Sequence, residues 1–341
     1  MTRAALAALL LLAAAHAAAQ DTHERLAERL TLTEALAEAR GLIDSGNPKA
    51  AIATLEALEP KDDPRVRLLL GVALYRSDQC LPAIERLELL AAVFPDGSVE
   101  RREAVQVLGL CRYLSGQLRE AIPLLEKTRE WAKGSLELNH ALAMAYIQTQ
   151  QPDPARASVA RIFGVPAESA DARLLTAQLM IRAQLDDLAE AELRQAIAAD
   201  PRLPHARFLL GQTALFRGRV DEALALLQAE LEVNPGDAMT HYRLGDTFLH
   251  RLEWDRAIES LQRSIWLNPF FSGPYILLGR AYMQKGELAA AEGMLRQAIA
   301  YDPNNKVAHY MLGQLLQRLG RAEEALRELE LAERLKDIPG R

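Results

Sequence analysis

The stretch 204–305 reads as three consecutive lines of equal length: PHARFLLGQTALFRGRVDEALALLQAELEVNPGD (204–237), AMTHYRLGDTFLHRLEWDRAIESLQRSIWLNPFF (238–271) and SGPYILLGRAYMQKGELAAAEGMLRQAIAYDPNN (272–305). In each line a Leu-Gly pair is followed twelve residues after the Gly by an Ala, and a Pro comes twelve residues further on. The marker glycines are Gly211, Gly245 and Gly279. A fixed period of this length is the signature of a chain built from stacked repeats.

The same markers continue on both sides of this stretch. A Gly or an Ala recurs at the same interval from Gly109 to Gly313, and four extra residues follow the repeat that ends at residue 97. We therefore predict about nine repeats, numbered here from first to ninth: 32–63, 64–97, 102–135, 136–169, 170–203, 204–237, 238–271, 272–305 and 306–339.

Each repeat divides into two apolar-periodic halves of about a dozen residues, a length and period that favour helices over strands. Half of the residues are apolar and few are aromatic, and the abundant Ala and Leu are strong helix formers. Small residues at the markers allow two helices to approach closely. The Pro markers are expected to end the second helix of each repeat, because Pro has no N–H to donate. The sequence therefore predicts an all-α fold.

This pattern resembles the tetratricopeptide repeat (TPR) family, whose repeats are helix–turn–helix units of about 34 residues. The resemblance covers roughly 32–339, nearly all of the predicted mature chain, and is most specific over 170–339. It implies a right-handed α-solenoid whose first helices line a concave groove and whose second helices form the convex side. It also implies that the protein acts by binding another protein.

One segment departs from the pattern. In the fourth repeat Pro152 and Pro154 lie at the turn, and the second helix is expected to stop early at Gly164. We interpret this either as ordinary drift between repeats or as a flexible joint near 150–168.

The N-terminus has the composition of a secretory signal peptide. Arg3 precedes an apolar run over 4–15, and three alanines at 17–19 precede Gln20. This order matches the charged, apolar and cleavage regions of an export signal. The run is shorter than the roughly 20 apolar residues that span a membrane. We predict a signal peptide at 1–19, cleavage before Gln20, a short polar leader at 20–31, no integral membrane segment after cleavage, and a periplasmic or secreted protein.

Charge and motifs narrow the class of function. The net charge of −6 is spread along the chain without a basic stripe, so we predict no nucleic-acid partner. The sequence contains no H-E-x-x-H, G-x-S-x-G, Walker A or G-x-G-x-x-G motif, which are common signatures of catalytic and cofactor sites. We predict that the protein is not an enzyme and takes no metal or cofactor; an enzyme whose site spans several repeats is the remaining alternative.

The family resemblance implies that certain positions of the first helices face a ligand. At the fifth position lie Phe208, Tyr242, Ile276 and Tyr310; at the ninth Gln212, Asp246, Arg280 and Gln314; and at the thirteenth Phe216, His250 and Gln284. Apolar walls with a polar floor suit an extended or helical peptide. The alternative for the fifth position is packing between neighbouring first helices, because core stripes look the same in sequence.

An aromatic cluster around a Pro-bounded loop offers a second candidate surface. Trp266, Phe270, Phe271 and Tyr275 lie within ten residues of one another. Packing between repeats is one interpretation, since aromatic side chains dominate core contacts. A partner-binding edge is the other.

The two cysteines, Cys80 and Cys111, fall in helices that we expect to be antiparallel neighbours. Export would permit a disulfide between them. Two buried free thiols are the alternative, because both positions are apolar or small in most other repeats.

These observations predict an exported TPR scaffold or adaptor that binds a polypeptide segment in its groove, within an envelope assembly or a secretion or export machine. A periplasmic chaperone-like holder of extended clients is the alternative within the binding class. The identity of the partner is not encoded in any motif.

Overall fold

The computed structural model describes residues 31–58 and 62–335, and those ranges contain helices and no β-strand. The prediction of an all-α fold is confirmed. The predicted signal peptide at 1–19, and all of the predicted leader except residue 31, lie outside the described ranges. Within them, the longest apolar helices still fall short of what a bilayer crossing requires.

The chain divides into two compact units, with the boundary between Gly164 and Val165. The helices of the N-terminal unit are α1 (31–44), α2 (Pro48–Glu56), α3 (Pro64–Arg76), α4 (Cys80–Leu87), α5 (Leu90–Val93), α6 (Val99–Leu114), α7 (Leu118–Arg129), α8 (Leu136–Gln148) and α9 (Pro152–Phe163). Those of the C-terminal unit are α10 (Ala170–Arg182), α11 (Asp186–Ala199), α12 (Ala206–Phe216), α13 (Val220–Val233), α14 (Ala238–His250), α15 (Trp254–Leu267), α16 (Ser272–Lys285), α17 (Leu288–Tyr301), α18 (Lys306–Arg318) and α19 (Ala322–Arg334).

Helices of the C-terminal unit pack in sequence order. Each first helix packs on the second helix of its own repeat, and each second helix packs on the first helix of the next repeat. This arrangement buries apolar clusters between neighbouring helices, because every helix covers the apolar stripe of its neighbours.

The marker glycines allow the closest approach within a pair. A Cβ atom on Gly245 would lie 2.5 Å from Cγ of Leu261, sixteen residues later on the second helix. In the fourth repeat the marker is Ala143, and the residue sixteen positions on is the smaller Val159; both are buried. The helix pair is therefore held by complementary volumes at this contact, and a larger side chain at Gly245 would have to displace Leu261.

The turn inside each pair contains one residue with a left-handed backbone. It is Gly46, Asp78, Gly116, Gln150, Gln184, Gly218, Leu252, Gly286 and Gly320 in successive pairs, and each holds the fifteenth position of a predicted repeat. The non-glycine residues have a steric cost at this position: at Leu252, for example, a φ of 61° brings Cβ close to the following carbonyl oxygen.

The first helices begin at different kinds of cap. The hydroxyl of Ser169 accepts a hydrogen bond from the backbone N–H of Ala172 at the start of α10. At the start of α12, His205 has a φ of 73° and its side chain makes no such bond. The fully buried carboxylate of Glu230 accepts instead from the backbone N–H groups of His205, at 2.6 Å, and Phe208, at 3.3 Å. This carboxylate satisfies two of the N–H groups that a helix start leaves unpaired.

The N-terminal unit keeps the repeat less strictly. The second helix of its second repeat is divided into α4, with eight residues, and α5, with four. The four extra residues, 98–101, follow that divided helix and open α6, where the Ser98 hydroxyl accepts from the backbone N–H of Arg101. Pro123 lies inside α7. This unit therefore contains a short, interrupted helix at one junction between repeats.

Ion pairs connect successive repeats of the C-terminal unit. Arg219 Nη2 donates to Glu190 Oε2 at 2.7 Å, 29 residues earlier in the chain, and Arg321 Nη1 donates to Glu292 Oε1 at 2.6 Å with the same spacing. Hydrogen bonds from Arg219 and Arg194 hold the pKa of Glu190 down to about 2. The repeat period thus places a basic turn residue against an acidic residue of the preceding second helix.

Candidate functional site

A recess of about 830 Å³ lies in the C-terminal unit, at the C-terminal ends of α10, α12 and α14. We call it the Phe216 recess. Its lining consists of residues from these first helices, from the turn after α10 and from the start of α11: Ile181, Gln184, Asp186, Gln212, Thr213, Leu215, Phe216, Arg243, Asp246 and His250. A volume of this size falls within the range of ligand pockets in proteins, roughly 300–1,000 Å³.

The repeat period brings the lining side chains together. Gln212 and Phe216 are four residues apart on α12, so they lie one above the other on one face of that helix. Asp246 and His250 have the same spacing on α14. Because α12 and α14 hold equivalent positions in successive repeats, the two pairs lie side by side and form adjoining parts of the recess wall.

Phe216 supplies the apolar part of the wall. It is the last residue of α12 and its ring is 85 % exposed, whereas Leu215 beside it is partly buried. Removing a ring of this kind from water contributes about 1.5–3 kcal/mol. Covering the Phe216 ring with an apolar group of a partner would therefore contribute favourably to the free energy of binding.

The polar part of the wall contains charges of both signs. The Asp246 carboxylate lies 3.9 Å from Arg243 Nη1 and 3.8 Å from His250 Nε2, which is longer than a hydrogen bond. Arg243 also lies over the ring of Tyr242, 5.1 Å from its centroid, and its buried Nε has no hydrogen-bond partner within the described part of the chain. The Asp246 oxygens thus remain able to accept hydrogen bonds from a bound chain.

Four of the eleven predicted groove residues line the recess: Gln212, Phe216, Asp246 and His250. Two others are core residues. Phe208 is 5 % exposed and stacks on His205 with ring centroids 4.8 Å apart, and Ile276 is 8 % exposed in a cluster with Tyr275 and Ala308. Neither offers a surface to a ligand, so their assignment to the groove wall is corrected: packing, the alternative for the fifth position, describes both.

The remaining predicted residues lie outside the recess. Tyr242 is partly buried and meets Phe271 edge to face, with centroids 5.0 Å apart, and burial raises its pKa. Gln314 Nε2 donates to the exposed Tyr310 hydroxyl at 2.9 Å. The exposed residues Arg280 and Gln284 are on α16. Arg280 and Gln284 on α16, and Tyr310 and Gln314 on α18, therefore lie outside the recess.

Sequence reasoning missed several lining residues. Gln184 lies in the turn after α10, Asp186 begins α11, and Arg243 holds the sixth position of its repeat. The family resemblance predicts ligand contacts at three positions of the first helices and at none of the turn residues. The fifteenth position of the repeat, the turn position that Gln184 holds, is a sequence signal that could have located this part of the rim.

The aromatic cluster divides between core and surface. Tyr275 is buried and its hydroxyl donates to the Pro269 carbonyl at 2.9 Å, so it packs the junction between repeats. Trp266 is 69 % and Phe270 76 % exposed. Arg263 lies over the Trp266 ring, 4.1 Å from its centroid. Two exposed rings thus remain as a second candidate edge, on α15 and the loop after it.

The two cysteines are free thiols in the structure, Cys80 partly buried and Cys111 buried. Among the described residues, no group of three or more His, Cys, Asp or Glu side chains is arranged to hold a metal ion.

Antiparallel helix pairs stacked in sequence define a helical-repeat protein, and comparison with known families gives the kind of repeat. Two family models described as tetratricopeptide repeat match the chain, one over 113–179 and 282–336, the other over 36–79 and 208–270. The chain therefore carries tetratricopeptide repeats in both compact units, as the sequence predicts. No curated protein matches it.

Several solved structures with similar folds each match about half of this chain. The crystal structure of MamA is 26% identical and covers 46% of this chain and 92% of its own, with a TM-score of 0.42. YrrB, described as a TPR protein with an unusual peptide-binding site, is 21% identical over 50% of this chain and 88% of its own, with a TM-score of 0.43. TTC0263 of Thermus thermophilus is 21% identical over 49% and 97%, with a TM-score of 0.42.

Proposed function

We propose that the protein is an exported scaffold or adaptor that binds a polypeptide segment at the Phe216 recess, within an envelope assembly or a secretion or export machine. One observation supports the proposed binding site: an exposed aromatic ring and an incompletely hydrogen-bonded carboxylate share one recess on the first helices of the C-terminal unit.

The apolar wall supports binding of a side chain. Phe216 and the partly buried Leu215 and Ile181 present apolar surface at one end of the recess. An apolar side chain of the partner that covers Phe216 would supply the affinity, since large rigid anchors dominate interface energetics.

The polar wall supports recognition of a peptide main chain. The Gln212 amide both donates and accepts, and the Asp246 carboxylate accepts. Peptide N–H and C=O groups lose water when they enter the recess and need partners there. An extended segment that places one apolar side chain against Phe216 and its backbone along Gln212 and Asp246 meets both requirements.

The proposed location rests on residues 1–19. The charged start, the apolar run and the small residues before Gln20 follow the order of an export signal. Fractionation with N-terminal sequencing tests this directly. We expect the mature chain to begin at Gln20 outside the cytoplasm; a cytoplasmic chain that retains residues 1–19 would contradict the proposal.

Photo-crosslinking in intact cells tests the binding surface. A benzoylphenylalanine replaces Phe216 in one variant, Phe270 in a second and Leu326 in a third; Leu326 is 59 % exposed on α19 and serves as the control. We expect crosslinks to polypeptide from position 216 in excess of those from position 326. Equal yields from 216 and 326 would contradict binding at the recess, and a product from 270 alone would assign binding to the aromatic edge.

The same crosslinks separate a scaffold from a chaperone-like holder. One or two partners in stoichiometric amounts are expected of a scaffold. A broad set of unrelated polypeptides would replace the scaffold with the holder, because a holder recognises exposed apolar segments of many chains.

A further inference from the structure

The two thiols of the N-terminal unit are neighbours across a helix contact. Cys80 is the first residue of α4 and Cys111 lies on α6, and these two helices pack together. Cys80 packs against the apolar cluster that includes Cys111. Burial and the adjacent Cys80 thiol raise the pKa of Cys111. The packing of α4 on α6 therefore brings the two thiols into one apolar cluster although they belong to different predicted repeats.

The two thiols differ in their access to solvent. Cys80 lines an open recess of about 450 Å³ together with Leu81, Pro82 and Leu114. Leu81 and Leu114 are each 61 % exposed, whereas Cys111 is 0 % exposed beneath Cys80. A small reagent can reach Cys80 in the folded protein and cannot reach Cys111 from solvent.

We propose that Cys80 and Cys111 form a redox-active pair that closes reversibly into an intramolecular disulfide, with Cys80 as the attacking thiol and Cys111 as the resolving thiol. The oxidant is a small external disulfide that enters through the recess. This assignment is independent of the peptide-binding proposal, because the pair and the Phe216 recess lie in different compact units.

The chemistry balances in two exchange steps. The Cys80 thiolate attacks one sulfur of the external disulfide, the S–S bond of the reagent breaks, and one thiolate leaves and takes a proton. Cys111 then loses its proton and attacks the Cys80 sulfur of the mixed disulfide, and the second thiolate leaves and is protonated. Two protein thiols lose two electrons and two protons, and one external disulfide becomes two thiols. Excess thiol reverses both steps.

The disulfide would strengthen the least regular junction of the unit. It would close a loop over 80–111, which contains the interruption between α4 and α5 and the four extra residues at 98–101. Cross-linking a loop of this length removes conformational freedom from the opened state. We expect amide hydrogen exchange through local opening of 80–111 to slow on the order of a hundredfold when the pair is oxidised.

The test uses the full chain and oxidised glutathione. Alanine occupies the place of Cys111 in three other repeats, at Ala73, Ala145 and Ala281. Cys111→Ala is therefore the conservative trapping variant, and Cys80→Ala is its counterpart. Mass spectrometry is expected to show an internal disulfide in the wild type, a stable glutathione adduct on Cys80 in Cys111→Ala, and at least tenfold slower modification in Cys80→Ala. Before oxidation, iodoacetamide should label Cys80 of the folded wild type before Cys111.

Three results would overturn the proposal. The first is a folded wild type in which both thiols remain alkylatable after equilibration with oxidised glutathione. The second is equal adduct formation in the two variants while circular dichroism shows both folded. The third, which needs no variant, is simultaneous labelling of Cys80 and Cys111 in the reduced wild type.

Discussion

The two compact units use the same repeat, and they differ in how strictly they keep it. In the C-terminal unit the second helices α11, α13, α15 and α17 each have 14 residues, and charged turn residues pair with the preceding repeat at a spacing of 29 or 30 residues. In the N-terminal unit one second helix is divided in two and four residues are inserted after it. The C-terminal unit therefore keeps the repeat regularly, and the N-terminal unit contains the irregular junction.

This difference separates two kinds of site. The Phe216 recess depends on regularity, because equivalent positions of successive first helices adjoin only if the period is kept. The thiol pair lies beside the interruption. Cys80 begins α4, which ends after about two turns, and Cys111 lies on α6, which packs against α4. The proposed binding site therefore lies where the repeat period is kept, and the proposed thiol pair lies where the period is interrupted.

The largest expected effect tests the close helix contact of the regular unit. Gly245→Val would add a Cβ only 2.5 Å from Leu261 Cγ, with two further methyl groups beyond it, so we expect a loss of about 3 kcal/mol in the free energy of unfolding. Gly293→Val is the matched control, because a Cβ added to this helical glycine would meet no atom within 4 Å; it should change stability by less than about 0.5 kcal/mol. Urea denaturation of both variants measures the difference, and equal effects would show that Gly245 has no packing role.

The second prediction concerns binding. Phe216→Ala should weaken the affinity for a synthetic peptide that spans the crosslinked site by tenfold or more, because an anchor ring of this exposure contributes about 1.5–3 kcal/mol when covered. Phe163→Ala removes a ring that is 55 % exposed in the N-terminal unit and should leave the affinity unchanged. Titration calorimetry compares the two. A loss shared by both variants would indicate that the effect is not local to the recess.

The third prediction uses pH to test the ion pairs between repeats. The pKa of Glu190 is lowered, so the folded state favours its charged form. Its contribution to the free energy of unfolding is therefore complete above the ordinary Glu pKa of about 4.5 and is lost as the pH falls toward 2. Glu190→Gln should cost about 1 kcal/mol at pH 7 and progressively less as the pH falls toward 2. Exposed Glu232 gives the control Glu232→Gln, and a penalty for Glu190→Gln that persists unchanged at low pH would contradict the pairing.

The smallest effect tests the turns. Leu252 has a left-handed backbone at the position where five other repeats have Gly. Leu252→Gly should stabilise the protein by about 0.5–1 kcal/mol, since glycine adopts this conformation without steric cost. The reverse change, Gly218→Leu, should destabilise it by a similar amount. Thermal unfolding measures both, and a loss of stability in Leu252→Gly would show that this exposed side chain makes contacts that outweigh its strain.

The period accounts for most of the fold. Small residues at fixed spacing indicate the helix pairs and their turns, because the close packing at Gly245 and its equivalents leaves little room for a larger side chain. The sequence does not predict the interruption between α4 and α5, since residues 88–89 continue the apolar and charged pattern of a helix. Local sequence does not show that this helix is divided before the four extra residues at 98–101.

The candidate site was predicted in part. Gln212, Phe216, Asp246 and His250 meet at the recess because i, i+4 spacing on two equivalent helices fixes their faces. Phe208 and Ile276 are buried instead, and a single apolar position in a helix reads the same whether it faces a groove or a neighbouring helix. Only the packing of adjacent helices distinguishes the two.

Hydrogen exchange on the full chain, with and without the peptide that spans the crosslinked site, tests the central claim most directly. We predict that the peptide slows exchange within 181–250, which includes the first helices and the turn that line the recess, and leaves the N-terminal unit unchanged. Peptide-induced protection confined to 266–275, or to the N-terminal unit, would contradict binding at the Phe216 recess.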